Sequence, residues 1–247
     1  MKLVIATPFY SMSAFTPYLD SLIPSISALN KSGIVWDFWD VSGDSYVDRA
    51  RNTICARFLN SDYTHLLFID SDISWNVEGL GQLLQSPFEL TGGIYPCKNN
   101  WDSWTERMRY DKDHAPIQEA DTGLVEVEWL PAGFMLITKS CIEKIVSHYY
   151  DNWYHPDSGN TDAEKIYSLF ECSIIDHVRQ GEDVTFCKKW AAIGGKIYCE
   201  PRISFGHSGM KTYEGNFHEH LKASSEVERI RRALSGVETI GVSNVMS

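Results

Sequence analysis

Two carboxylates one residue apart, Asp70 and Asp72, close the run THLLFIDSDISW at residues 64–75. Leu66, Leu67, Phe68 and Ile69 before them are apolar enough for a buried strand, and an aspartate leaving such a strand is costly to desolvate unless something positive meets it. That partner is a metal ion, a ligand or the start of a helix, and capping of a helix beginning near Asn76 is the structural alternative. The chain carries its own control, a second D-x-D at Asp111 and Asp113 in RYDKDHA. It follows no apolar strand and sits among charges, so it is expected on a solvated loop.

Other residues join the candidate chemistry. Glu182 and Asp183 open the helical segment EDVTFCKKWAAIGG, where a helix N-terminus favours acids in any case and would keep Asp183 ionised with a lowered pKa. Gly92 and Gly93 in TGGIYPCK permit close backbone approach to a ligand, or make a simple turn. Trp101 and Trp104 lie in a polar insertion, where they either stack on sugar rings or fold the insertion onto the domain.

Periodicity supplies the elements that must hold these groups. KLVIATPF reads as a strand, and residues 17–30 place Leu19, Leu22, Ile23, Ile26 and Leu29 on one helical face. IVWDFWDV is a second strand, YVDRARNTICARFLN a second helix and THLLFID a third strand, the alternation of a layered α/β domain with a largely parallel sheet. Such sheets bind ligands at the carboxyl ends of their strands, where Pro8, Asp40 and Asp70 fall. LVEVEWLPAGFMLI predicts a strand entering a buried run, followed by a helix over about 140–150. NWYHPDSGNTDAE predicts a mobile loop. EDVTFCKKWAAIGG predicts a helix closed by its glycines, KIYCEPRISFGHSG one last strand, and HEHLKASSEVERIRRALSG an amphipathic helix. The reading is one domain over 1–215 with a helical tail over 216–247.

Composition excludes several classes. The 247 residues, 43% hydrophobic, can bury a sizeable core. A formal charge of -11 repels a phosphate backbone and argues against general nucleic-acid binding, while a local basic patch remains open. Cys55, Cys97, Cys141, Cys172, Cys187 and Cys199 show no C-x-x-C or finger spacing and read as reduced core thiols. No run approaches the roughly 18 apolar residues of a membrane helix, and the N-terminal run is too short for a signal peptide, so a cytoplasmic location is expected.

ARNTICARFLNSDYTHLLFIDSD, then GED at 181–183 and GHSG at 206–209, resemble, in order, the A-R-N, D-x-D, E-D and H-x-G blocks of nucleotide-sugar-dependent glycosyltransferases of the inverting family-two type. The resemblance spans roughly residues 2–210 and departs at Ile73, where many members carry another Asp. It implies the GT-A fold, a Rossmann-like three-layer α/β sandwich with a mostly parallel mixed sheet. It further implies transfer of a sugar from a nucleoside-diphosphate donor, with a UDP-sugar favoured, to a glycan or other hydroxyl acceptor. Under it Asp72 and His207 hold a metal ion, with Asp70 on the metal or the donor ribose. Mn²⁺ or Mg²⁺ is the expected cofactor, and Mn²⁺ suits mixed carboxylate and imidazole donors better than Ca²⁺ does. Asp183 is the implied base and Glu182 a sugar or acceptor contact. Thr7, Pro8, Asp40, Ser71 and the two glycines line the donor, and Arg51 reaches its base or diphosphate. The rival within this class is transfer to a hydroxylated base in DNA, which the net charge opposes and Arg107, Arg109 and Lys112 with Arg229, Arg231 and Arg232 keep alive; the rival from another class is a nucleotide- or sugar-binding protein without catalysis.

Overall fold

The computed structural model describes residues 1–98, 103–105, 107–156, 165–209 and 211–238; for Tyr213 and for residues 228–238 it describes the backbone alone. Trp101 and residues 157–164, the second part of the expected mobile loop, lie outside these residues.

In chain order the elements are β1 (Lys2–Phe9), α1 (Thr16–Ser32), β2 (Val35–Ser42), α2 (Val47–Leu59), β3 (His65–Ile69), β4 (Ile73–Trp75) and α3 (Val77–Leu83). There follow β5 (Leu90–Gly92), β6 (Val125–Glu126), β7 (Phe134–Thr138), α4 (Lys139–His148), β8 (Trp153–Tyr154), β9 (Ile166–Tyr167), β10 (Ser173–Ile175) and β11 (Val178–Gln180). The last are α5 (Glu182–Ala192), β12 (Tyr198–Cys199), β13 (Ser204–His207), β14 (Tyr213–Asn216) and α6 (Phe217–Glu238).

Seven strands form the central sheet in the order β2-β1-β3-β7-β5-β12-β6. β2, β1, β3, β5 and β12 run one way, while β7 and β6 oppose them. The alternation of strands and helices predicts a largely parallel sheet, and the resemblance a mostly parallel mixed one, which is what forms. Its central strands are apolar on both faces because both are covered. Val4, Ala6, Leu66, Phe68, Met135 and Ile137 face the core under α2, α4 and α5. Leu3, Ile5, Leu67, Ile69, Phe134 and Leu136 face the core under α1 and α3. The result is three layers.

Two expectations need correction. The buried face of α1 is Tyr18, Ser21, Leu22, Ser25 and Leu29, while Leu19 and Ile23 face solvent. Ser21 and Ser25 are buried because their hydroxyls accept from the backbone and indole N–H groups of Trp75 at 2.9 and 3.0 Å. The run KIYCEPRISFGHSG is not one strand. β12 ends in the main sheet, and after Pro201 the chain leaves it as β13, which pairs with β14 and β4 in a separate three-stranded sheet.

Where the tail begins, Phe217 is fully buried in the main core, so the first turn of α6 packs as part of the domain. Trp104 packs against Phe217 and His220, with centroids 5.5 and 5.1 Å apart. That contact folds the insertion onto α6. All six cysteines are free, but Cys172 is exposed and Cys97 half-buried, so only four are core thiols. Among the described residues no helix is long and apolar enough to cross a membrane.

Candidate functional site

β3 delivers Asp70 to the carboxyl edge of the sheet, where its amide donates to Gly133 O at 3.0 Å. A tight turn follows, closed by Ile73 N–H to Asp70 O at 3.0 Å, and the chain enters β4, an element unseen in the sequence. β4 pairs antiparallel with β13, which sets His207 opposite Ile73. Ser208 N–H then donates to the Asp72 carbonyl at 2.7 Å. Sheet pairing is therefore what brings His207 beside Asp72.

The imidazole is oriented. His207 Nδ1 lies 2.8 Å from Pro96 O, and a carbonyl only accepts, so Nδ1 carries the proton and Nε2 keeps its lone pair. Nε2 faces Asp72 Oδ1 at 3.8 Å. Burial lowers the His207 pKa, and nearby Lys98 adds to the effect, so the ring is neutral at neutral pH and a competent metal donor. The other carboxylate oxygen, Asp72 Oδ2, is held by the Lys98 ammonium.

Asp70 has a different partner. Arg51 of α2 is only 2% exposed; its Nη2 donates to both Asp70 oxygens at 2.8 and 3.1 Å. Its Nε lies 3.5 Å from Glu182 Oε1. One buried guanidinium thus serves two carboxylates, and it lies over the Phe68 ring. The guanidinium expected at the donor base or diphosphate stands between Asp70 and Glu182, and its Nη1 has no hydrogen-bond partner among the described residues. Burial still raises the Asp70 pKa against the pull of Arg51.

Asp183, in the first turn of α5, also departs from expectation. Its pKa is raised to about 6, by burial first and by Glu182 second. These outweigh the helix end, although its Oδ1 accepts from Val184 N–H at 2.7 Å.

Of the expected donor contacts, Thr7 is fully buried with its hydroxyl 2.7 Å from Tyr18 Oη, which takes its side chain out of a ligand's reach. Gly92 and Gly93 permit close approach, but of the protein to itself. A Cβ on Gly92 would stand 2.6 Å from Phe134 O, and one on Gly93 2.1 Å from the Phe205 ring. Asp40 remains exposed at the end of β2, accepting from Ser42 Oγ at 2.6 Å. Pro8 and Ser71 are partly exposed at the same edge.

Sequence reasoning missed Tyr95, Pro96, Lys98 and Gly133. A Cβ on Gly133 would lie 2.3 Å from Tyr95 Oη and 2.9 Å from Asp70 Oδ2, so only glycine leaves room for both groups. The Tyr95 ring packs edge-on against His207 at 4.9 Å. These residues followed TGG or preceded a strand, and no local pattern marks them.

The helix-capping alternative fails. Asn76 is the N-cap of α3, and neither Asp70 nor Asp72 caps it. Of the basic residues that kept DNA as a rival substrate, Arg107 faces Glu128 at 3.1 Å and Arg109 faces Glu126 at 3.8 Å. The side chains of Arg229, Arg231 and Arg232 lie outside the described part of the structure.

The charges at the edge do not cancel. Among the described residues, Asp70, Asp72, Glu182 and, above pH 6, Asp183 face Arg51 and Lys98, with His207 neutral. The excess of two negative charges matches a divalent cation. Among the described residues no group of three or more His, Cys, Asp or Glu side chains could hold one; Asp72 and His207 are two candidate donors that stand side by side.

No protein-family description matches the chain, and no curated protein matches it in sequence. Among solved structures it is similar to GalNAc-T7 with UDP, GalNAc and Mn²⁺, at 12% identity and TM-score 0.45 over 84% of this chain and 44% of that one. It is also similar to S. aureus TarS 1-349, at 13% and 0.43 over 81% and 58%. A third similar structure is a glycosyltransferase involved in the glycosylation of the major capsid of PBCV-1, at 10% and 0.34 over 59% and 65%. The chain thus spans less than two thirds of the length of each.

Proposed function

We propose that the chain is a GT-A-type glycosyltransferase that moves a sugar from a nucleoside-diphosphate donor, UDP-sugar favoured, to an acceptor hydroxyl with inversion. The observation that carries this reading is the oriented Asp72 and His207 pair inside an uncompensated acidic edge, with Asp183 within electrostatic range of Asp70. Asp72 and His207 would hold Mn²⁺ or Mg²⁺, which when bound supplies positive charge for the departing diphosphate. Asp183 takes the proton of the acceptor hydroxyl as that oxygen bonds to the anomeric carbon and the carbon–phosphate oxygen bond breaks. A base with its pKa near 6 suits this task better than an ordinary aspartate, since proton affinity and ionisation are both retained near neutrality. Arg51 holds Asp70 and Glu182 in place. Pro8, Asp40 and Ser71 are the remaining candidates for the nucleoside edge.

The test is a melting-temperature panel of nucleoside diphosphates with and without Mn²⁺. A ligand that binds only the folded state stabilises it by about 2.7 kcal/mol at a hundredfold excess over Kd. Nucleoside diphosphate and Mn²⁺ together are expected to raise Tm more than either alone, and donor turnover to release free nucleoside diphosphate. No metal-dependent shift with any member of the panel overturns the reading.

A further inference from the structure

The two cations at this edge are held very differently. Arg51 is 2% exposed and locked between two carboxylates, whereas Lys98 is 34% exposed and, among the described residues, pairs with the Asp72 carboxylate alone. A partly exposed pair of this kind is weak and easily exchanged. Lys98 is nevertheless aimed. Its stem lies across Gly209, where an added Cβ would come within 3.3 Å of Lys98 Cδ. The short segment that carries it also contributes the Tyr95 ring and the Pro96 carbonyl that orient His207. One loop thus sets the imidazole and fills the carboxylate opposite it.

We propose that Lys98 is a resident counter-ion of Asp72, displaced by the divalent cation and transferred to the diphosphate of the incoming donor. The inference rests on the function proposed above and assigns to it a residue that couples the two ligands. A metal ion on Asp72 and His207 and an ammonium on the same carboxylate repel one another, so metal entry frees Lys98. The freed ammonium is a flexible point charge with three donors, the type of group that suits phosphate oxygens. Metal binding alone then works against Lys98, and diphosphate binding alone meets an acidic edge with its cation engaged. Each ligand relieves the obstacle to the other, which is positive coupling between them.

The experiment measures binding, not turnover. Free Mn²⁺ is titrated into the protein by electron paramagnetic resonance without nucleotide, and UDP is titrated calorimetrically at saturating Mn²⁺, for wild type, Lys98→Met and Lys98→Arg. Loss of one partly screened charge predicts that Lys98→Met binds Mn²⁺ alone about tenfold tighter and UDP with Mn²⁺ about tenfold weaker. Lys98→Arg keeps the charge and stays close to wild type in both titrations. Gly209→Ala, which crowds the lysine stem, shifts both constants in the direction of Lys98→Met and provides a second test should that variant fold poorly. Unchanged constants in Lys98→Met, with wild type binding both ligands, overturn the role of Lys98 and leave the proposed function standing. Absence of Mn²⁺ binding in every variant removes the metal site and both readings with it.

Discussion

The two D-x-D segments have the same spacing and opposite fates. Asp111 turns its carboxylate back on its own loop, where Oδ1 accepts from Asp113 and Ala115 N–H at 2.8 and 2.9 Å, and both acids are exposed. Asp70 and Asp72 instead take cations from distant parts of the chain, Arg51 and Lys98, with His207 alongside. A hydrated carboxylate satisfied by its own turn needs no counter-ion, whereas one carried to a sheet edge by a buried strand does. Position at the end of β3, not the motif, separates a pair met by distant cations from a solvated loop.

The largest expected effect lies across the edge from the first pair. Asp183→Asn should lower transfer by roughly 10²- to 10⁴-fold while nucleotide binding persists, as loss of a general base does. Wild-type rate should rise with pH through about 6, as Asp183 ionises. Stability should move the other way. A carboxyl whose folded pKa lies above the ordinary 3.8 contributes stability below that value and loses it as pH rises through about 6. Asp183→Asn should therefore melt higher than wild type at pH 8, by at most about 3 kcal/mol at 1.36 kcal/mol per pKa unit, and match it below pH 4. Melting curves across pH check this, and equal Tm at pH 8 would count against a raised Asp183 pKa.

Arg51→Met tests whether Asp70 is held by a counter-ion. It strands two carboxylates and should cost about 3–5 kcal/mol in urea unfolding, the range for breaking a buried ion pair from one side. The loss should shrink at pH 5 as the stranded acids take up protons. A loss under 1 kcal/mol at pH 8 would count against it.

Asp72→Ala should lose the joint Tm shift of UDP and Mn²⁺ and about 10²- to 10³-fold in transfer, the scale for removing one electrostatic stabiliser of the leaving charge. Asp111→Ala should keep the joint shift and full transfer, losing about 0.5–1.5 kcal/mol of stability with its turn hydrogen bonds. If the two variants behave alike, the contrast between the segments collapses.

Much of this contrast was legible in the chain. Leu66 to Ile69 before Asp70, and the charged neighbours of Asp111, distinguish strand end from loop because burial pattern is a local property. The helix over Val47–Leu59 and the helix opening at Glu182 were legible for the same reason. The direction of the Asp183 pKa was not, because helix position is written locally while burial is not. Nor were Tyr95, Pro96, Lys98 and Gly133 visible, since glycine, proline, lysine and tyrosine in a loop have many ordinary roles.

By itself the sequence determined the α/β alternation, the strand that carries Asp70 and Asp72 to an edge, and the solvated turn of the control, all consequences of side-chain period and local hydrogen bonding. The tertiary structure alone decided that β4 pairs with β13 and sets His207 beside Asp72, that Arg51 is committed to Asp70 and Glu182, and that Lys98 closes on Asp72. Those contacts join segments distant in the chain, and their partners are chosen by strand register and by compensation of buried charge, quantities that exist only once the layers have packed.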